Sequence, residues 1–428
     1  MLKKQRDTSY VVEQSRSHYD ACIEQDLMQV NFHARDGKRI TLEDGRTVTE
    51  FINCSYFGFD TLPAVIAGAQ KVVADYGVHF CCARSRLTID PNRALEVGLS
   101  RLFGGHAITF PSVTSAHMSA LPLVASGVLL PERMRRPVRF VFDRSAHASM
   151  QYLKPVLAQE ARVETIDHNA MDQLAAHAVE AKAAGETPVY IADGVYSMGG
   201  LCPLDALLAL SKEHELFLYL DDAHGTSIYG ERGEGYVLSK LGGVLPDNVI
   251  VSYSLAKGFG TNGGGIVVAT PEQQRLVRSF GQTYAFSGPL DFAIVGAALE
   301  VLKLHEDGTV RKLQQGLREK VGWFDALLPP PLDGGDSFSP IRMVEVGEAD
   351  RAIALGRYLL EQGHFVSVAF FPVVPRGRAQ LRVCLTNQHT REQIEALCGA
   401  IKQGLAPRSS PAVPRDDQSA MRGAAERA

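Results

Sequence analysis

The 428-residue sequence has no apolar run that could cross a bilayer. Its longest, ALPLVASGVLL, stops well short of the roughly 20 residues a membrane helix needs. Nor does an apolar stretch of signal-peptide length follow the charged opening MLKKQRDTSYVVEQ, so no membrane span is expected and the cytoplasm is the expected location. An excess of one charge is missing too. With 44 basic and 48 acidic residues the formal net charge is -4, which gives nucleic acid no electrostatic reason to be the main partner, although a local basic patch could still meet a phosphate. The seven cysteines are odd in number, include the adjacent pair Cys81-Cys82 and show no C-x-x-C spacing. They suggest neither a disulfide framework nor a structural zinc site, and no metal is expected; reduced thiols, mostly buried, are the simplest reading. Internal repeats are also lacking.

What remains is an ordinary globular composition, 45% hydrophobic and 21% charged, at a length that suits a large domain and a smaller one. Residues 1 to about 35 carry helical spacing, and RITLEDGRTVTEFI then reads as a hairpin turning at Asp44-Gly45, so 1–60 is expected to be an N-terminal helix and hairpin segment. Over 61–295 the short apolar runs AITF, VRFVFD, VYIADGV, LFLYLDD, VIVSYS and GIVVA alternate with helical segments such as MDQLAAHAVEAKAAG and LDALLALSKEHE. That alternation predicts an α/β large domain, a mostly parallel central sheet covered by helices on both faces. The block PPPLDGGD at 329–336 breaks the pattern, and the texture beyond it is α+β, so a smaller C-terminal domain is expected within 296–406. The tail 407–428, rich in Pro, Ser, Arg and Ala, is expected to be disordered.

In such a sheet ligands sit beyond the carboxyl ends of the strands. Four of those ends carry unusual cargo: His147 after VRFVFD, Ser197 after VYIADGV, Asp221 and His224 at the end of LFLYL, and Lys257 after VIVSYS. Taken singly, each has a bland use. A lysine among glycines can be a solvated turn residue, either histidine a structural hydrogen-bonder, Asp221 a helix cap and Ser197 a local turn bond. Their coincidence at successive strand ends favours chemistry. A desolvated lysine is an amine nucleophile that forms Schiff bases with carbonyls, so an aldehyde cofactor becomes plausible. Pyridoxal phosphate needs that lysine, a carboxylate for its ring nitrogen, a flat cover for its ring and small donors for its phosphate. The candidates are Lys257, Asp221, His147, and the loop of Ser112, Val113, Thr114 and Ser115 with Ser254.

At this point the sequence resembles the α-oxoamine synthases, pyridoxal-phosphate enzymes of fold type I, the aspartate-aminotransferase fold. The likeness runs in family order over about residues 40–405: Tyr56-Phe57-Gly58, DRSAHAS, IDHN, DGVYSMGG, DDAHGTSIYGERGEG, SLAKGFG and LRVCLT. The resemblance implies that Lys257 carries the cofactor and moves the Cα proton, and that Asp221 pairs with the pyridinium nitrogen. It further implies that His224 and Ser197 bond the phenolic oxygen and that His147 covers the ring. Thr114, Ser115 and Ser254 would hold the phosphate, helped by Ser287 of a second subunit in a homodimer whose active site lies at the interface. Arg382 would grip the amino-acid carboxylate, with Cys54, Tyr56 and Arg84 beside the substrate. The implied reaction joins an amino acid to an acyl thioester of coenzyme A or an acyl carrier protein, with decarboxylation, to give an α-aminoketone.

Two departures from the family pattern fall on the substrate-facing parts and a third on the phosphate loop. Cys54 stands where the family has an asparagine, residues 77–84 read GVHFCCAR where the family has a glycine-rich loop, and Val113-Thr114 replaces a glycine followed by an aromatic. Bulk at 79–82 would narrow or reshape an acyl channel that glycines leave open. A specialised member, making a signal or secondary metabolite, is therefore expected over a housekeeping one.

Overall fold

The computed structural model describes residues 8–329 and 338–406. The expected disordered tail, and all but Pro329 of the break at 329–336, lie outside the described residues. Fourteen strands fall into three sheets among them. The first holds β1 (Phe32–Asp36), β2 (Arg39–Leu42), β3 (Thr47–Glu50) and, from far along the chain, β12 (His364–Phe365). The β2–β3 hairpin turns where Asp44-Gly45 was expected to turn it, with Gly45 at φ 86°. The leading helix ends sooner than expected: among the described residues it spans Thr8–Glu24, and Phe32–Asp36 pairs with β2 instead. As an exposed edge strand, β1 shows no apolar alternation to betray it.

The central sheet comprises β4 (His106–Phe110), β5 (Val138–Asp143), β6 (Arg162–Ile166), β7 (Thr187–Asp193), β8 (Phe217–Asp221), β9 (Val249–Ser254) and β10 (Gly264–Val268), in the spatial order β4-β10-β9-β8-β7-β5-β6. Six strands run in one direction, five of them as parallel neighbours; β10 runs antiparallel between β9 and β4. The reason is visible in the runs themselves: VRFVFD, FLYLD and VIVSYS are buried at every position, as strands covered on both faces must be. Edge strand β6, RVETI, is half polar and half exposed, which is why it was not among the expected strands.

The third sheet, β11 (Ile341–Gly347), β14 (Ala379–Cys384) and β13 (Ser367–Ala369), is antiparallel in that spatial order. Its core includes Phe324, Leu359, Leu381 and Ile401 together with Cys22, Leu42 and Phe51, so the N-terminal segment packs with the C-terminal elements. The 295/296 division falls inside the helix Phe292–Glu306, whose buried face of Val295, Ala298 and Val301 belongs to the core under the central sheet. Helix ends follow local chemistry. Thr270 with Gln273, and Thr390 with Gln393, form reciprocal capping boxes.

Candidate active site

The chain order of the central sheet reverses between β5 and β7, and there the loops diverge to leave a cavity beyond the strand ends. Three strands that reach it, β5, β7 and β8, each finish in a buried aspartate: Asp143, Asp193 and Asp221. Asp221 lines the cavity, its Oδ1 accepting from the Ala223 amide at 3.0 Å and its Oδ2 from His117 Nε2 at 3.2 Å. The Tyr219 hydroxyl, 2.8 Å from His117 Nδ1, fixes the imidazole from its other side. Burial pushes the Asp221 carboxyl up, but the His117 hydrogen bond and the charges of His117 and Lys257 outweigh it. The net shift is below the ordinary range, so Asp221 is an anion.

Asp193 shows the opposite balance. Burial, and then the negative charge of Asp221, push its carboxyl well up, although its Oδ1 accepts from the His147 amide at 2.9 Å. Asp143 anchors the same loop, accepting from the Ser145 amide at 2.7 Å, the Asn169 amide at 2.8 Å, His168 Nδ1 at 3.1 Å and the Tyr190 hydroxyl at 3.2 Å. His147, between these two anchors, lines the cavity with its Nδ1 2.7 Å from Ser149 Oγ. Neither Asp143 nor Asp193 was singled out from the sequence, yet both end apolar runs just as Asp221 does, and that shared ending is the signal that could have found them. His117 left no such trace. It sits in the helix Val113–Ala125, 104 residues before its partner.

Lys257 lines the cavity from the loop after β9. Gly260 behind it takes φ 74°, and a Cβ there would lie 2.6 Å from Phe59 Cβ, so SLAKGFG can turn tightly only with glycine at that position. Opposite the polar strand ends, Val113 and Thr114 begin a helix and also line the cavity. Ser112 caps it, its Oγ accepting from the Ser115 amide at 3.0 Å, and the first-turn amides there form a natural anion site. His224 is buried, with its Nδ1 hydrogen-bonded to the Tyr56 hydroxyl at 2.9 Å. Burial, then the charges of Lys257 and Arg382, hold its pKa well below the usual value and keep it neutral.

Not every expected residue reaches the cavity. Ser254 is buried and its Oγ accepts from the Ala256 amide at 3.1 Å; Ser115 Oγ turns 2.9 Å from Ser112 Oγ. Ser197 presents its carbonyl, not its hydroxyl, to Arg382 Nε at 2.9 Å. Arg84 departs furthest from its expected place beside the substrate. It is buried, donating to Glu96 at 3.2 Å and to Thr109 Oγ1 at 3.1 Å, and its guanidinium lies 4.0 Å from the centre of the Tyr284 ring. An arginine so enclosed, bonded through both terminal nitrogens to Thr109 and Glu96, braces β4 against the helix Asp90–Phe103. Arg382, on β14, reaches toward the site, with Nη1 3.2 Å from Cys384 Sγ and Nη2 3.6 Å from Cys54 Sγ.

A lysine amine, a buried carboxylate held anionic and a capped helix N-terminus around one cavity define a Schiff-base site for an anionic aldehyde cofactor. The model of the family "Aminotransferase class I and II" matches residues 148–401. The putative 8-amino-7-oxononanoate synthase of Desulforudis audaxviator is 31% identical over 375 residues, 86% of this chain and 92% of that protein. The 8-amino-7-oxononanoate synthase of Geobacter sulfurreducens is 32% identical over 371 residues, 85% and 90% of the two chains. Among solved structures, the Sphingomonas wittichii serine palmitoyltransferase superposes with a TM-score of 0.81 at 23% identity, covering 93% of this chain and 98% of that one. The fold is therefore that of pyridoxal-phosphate enzymes of fold type I. Within that class the chain belongs to the α-oxoamine synthase family, the pyridoxal-phosphate-dependent acyltransferases, and its cofactor is pyridoxal 5'-phosphate. The residues on the cavity fit that group in charge and kind, with a primary amine, an anion for a ring nitrogen and unfilled helix amides for a phosphate. Among the described residues no helix is long and apolar enough to cross a membrane.

Proposed function

We propose that this chain condenses an amino acid with an acyl thioester, carried on coenzyme A or an acyl carrier protein, releasing carbon dioxide and the thiol and giving an α-aminoketone. The observation that carries the reading is that Lys257 and Asp221 open onto one cavity with His147 and His224. When bound, pyridoxal phosphate supplies the electron sink for the pair left at Cα. Lys257 would be the amine that holds the cofactor and, as a free amine on the same cavity, the base for the Cα proton. Asp221, anionic through its bond to His117, keeps a proton on the ring nitrogen. His147 covers the ring. Neutral His224 bonds the phenolic oxygen, oriented by Tyr56. Val113 and Thr114 offer their amides to the phosphate, and Arg382 receives the substrate carboxylate through its planar pair of donors.

Cys54 beside Arg382, and the 77–84 loop, support a specialised substrate and product over those of the named relatives. The exposed apolar side chains of Val78, Phe80, Leu87 and Phe286 support a homodimer formed over these loops, with Ser287 in reach of the second subunit's site. The cytoplasm remains the proposed location, and 1–60, 61–295 and 296–406 the proposed division into an N-terminal segment, a cofactor-binding domain and a small domain.

Purified holoenzyme mixed with a panel of amino acids (glycine, L-alanine and L-serine among them) and acyl thioesters should release free thiol and form α-aminoketones detectable by mass spectrometry. Lys257→Ala should lower thiol release at least about a thousandfold while leaving the melting temperature nearly unchanged. Transformation of an amino acid with no thioester consumed would replace the reading with a transaminase or aldol-type lyase. A colourless protein that takes up no cofactor would make it a non-catalytic subunit.

A further inference from the structure

Two thiols and a guanidinium meet at the edge of the site in an arrangement the condensation does not use. Cys54 Sγ lies 3.8 Å from Cys384 Sγ, and Arg382 donates to both sulfurs. No other pair of cysteine sulfurs is joined in this way among the described residues. The two cysteines are 330 residues apart in the chain, and backbone pairing brings them together. Residues 51–56 run beside the end of β14, the Phe51 carbonyl accepting from the Cys384 amide at 2.7 Å and the Tyr56 carbonyl from the Asn387 amide at 2.8 Å. The turn before Cys54 is held in turn by Glu50, which pairs with buried Lys38 at 2.8 Å and accepts from the Ile52 and Asn53 amides, each at 3.0 Å.

To form a disulfide the sulfurs have to close from 3.8 Å to about 2.05 Å. The setting also favours a thiolate at one of them. The hydrogen bond from Cys384 lowers the Cys54 thiol well below its usual value, and the charges of Arg382 and Lys257 add to it against the opposing effect of burial. Cys384 shifts the other way and is fully buried, whereas Cys54 is partly exposed and is the sulfur a peroxide can reach. One sulfur is therefore the nucleophile and the other the resolving thiol.

We propose that Cys54 and Cys384 form a reversible disulfide on exposure to hydrogen peroxide, and that the bridge frees Arg382 to bind the substrate carboxylate. The Cys54 thiolate attacks one peroxide oxygen; the O–O bond breaks, leaving a sulfenic acid and a hydroxide that takes a proton to become water. Cys384 then gives up its proton and attacks the Cys54 sulfur, the S–O bond breaks, and the second hydroxide leaves as water. Two thiols and one peroxide become one disulfide and two waters, with two electrons passing from sulfur to oxygen. In the reduced state an anionic sulfur competes with substrate for the guanidinium; in the oxidised state that anion is gone. The second half of the proposal rests on the carboxylate role given to Arg382 above, whereas the bridge itself does not.

The test uses the full-length holoenzyme. After peroxide, alkylation of remaining thiols and digestion, the Cys54 and Cys384 peptides should appear joined, lighter by two hydrogens and separable by dithiothreitol. Cys384→Ser should instead accumulate a Cys54 sulfenic acid trapped by dimedone. Titration of L-alanine, glycine and L-serine through the cofactor's absorbance should show binding roughly three- to tenfold tighter in the oxidised protein, the net worth of about one ordinary hydrogen bond, and reversed by dithiothreitol. Both cysteines recovered fully alkylated after peroxide would overturn the proposal, as would a bridge that leaves affinity unchanged. A bridge with no binding of any of the three amino acids would support the redox pair and count against the carboxylate role of Arg382.

Discussion

The strand-end side of the cavity and the Arg382 side are built in different ways. On the first, carboxylates at the ends of strands meet backbone amides, two of them two residues on in the turn that follows: Ala223 N–H on Asp221 and Ser145 N–H on Asp143, with Asn169 N–H also on Asp143. On the second, Arg382 sits among Ser197, Cys384 and Cys54, groups from three distant parts of the chain, and two of its three partners are sulfurs. The comparison teaches that the cofactor side is specified by short-range chemistry repeated along one sheet edge. The substrate side is specified by the meeting of two sheets, and a single residue can retune it.

If that is right, changes on the strand-end side should cost most. Asp221→Asn keeps an acceptor for the Ala223 amide but removes the anion, so condensation should fall roughly 10²- to 10³-fold with little change in thermal stability. Thiol release and exchange of the Cα proton for deuterium both report it. Normal exchange in this variant would remove the role given to Asp221 and break the contrast at its strongest point.

Asp143 tests whether the turns are equally stiff where no cofactor touches them. Replacement by alanine leaves the Ser145 and Asn169 amides, His168 and the Tyr190 hydroxyl short of an acceptor in a buried place, a loss of about 3 kcal/mol. Burial raises this carboxyl, but His168 and the two amides more than offset it, so its net shift is downward. A lowered carboxyl contributes stability above the unfolded-state pKa and loses it as pH falls through the folded value. The gap between wild type and Asp143→Ala in urea midpoint should therefore close in acid; a gap that widens there would contradict the assignment.

Asp222 supplies the opposite sign one residue from Asp221. Its Oδ2 accepts from the Val237 amide at 2.9 Å, while its buried Oδ1 has no hydrogen-bond partner. Burial, only partly opposed by the Val237 bond, pushes its carboxyl well up, and the charge of Asp221 adds to the rise. A raised carboxyl stabilises the fold fully below the unfolded-state pKa and loses that contribution as pH rises through the folded value. Asp222→Asn should consequently raise the melting temperature by about 2 °C, with a gain that grows toward alkaline pH. A gain confined to acid would reverse the sign and sink the reading.

The same contrast explains what could be read from the sequence. Lys257, Asp221, His147 and His224 were legible because short, wholly apolar strands must be central, and polar residues just past their ends must face the ligand crevice. Strand β6 was not, since an edge strand with one wet face need not be apolar. His117 escaped because its helix position is explained equally well by burial among Ala, Ser and Leu, and its partner comes from another element. Arg84 was misplaced for the same reason: Glu96, which encloses it, is a helix residue whose side chain points inward, and nothing in the loop sequence announces that. Sheet edges and strand ends are local properties, whereas the partner of a buried charge is not.

The smallest effect should come from Cys54, and it separates the two sides most cleanly. Cysteine and asparagine are close in volume, and Cys54 is partly exposed, so Cys54→Asn should fold normally. The substitution exchanges a sulfur that Arg382 partly neutralises for a neutral amide, and so removes an anion competing for the guanidinium. The amide oxygen still accepts from Arg382, which limits the gain to about threefold tighter binding of the amino acid. The cofactor's absorbance and the rate at saturating amino acid should be unchanged, because no strand-end group has been touched. A Cys54→Asn protein whose maximal rate falls as far as that of Asp221→Asn would place Cys54 among the catalytic groups and dissolve the distinction between a preorganised side that does the chemistry and an adjustable side that selects its substrate.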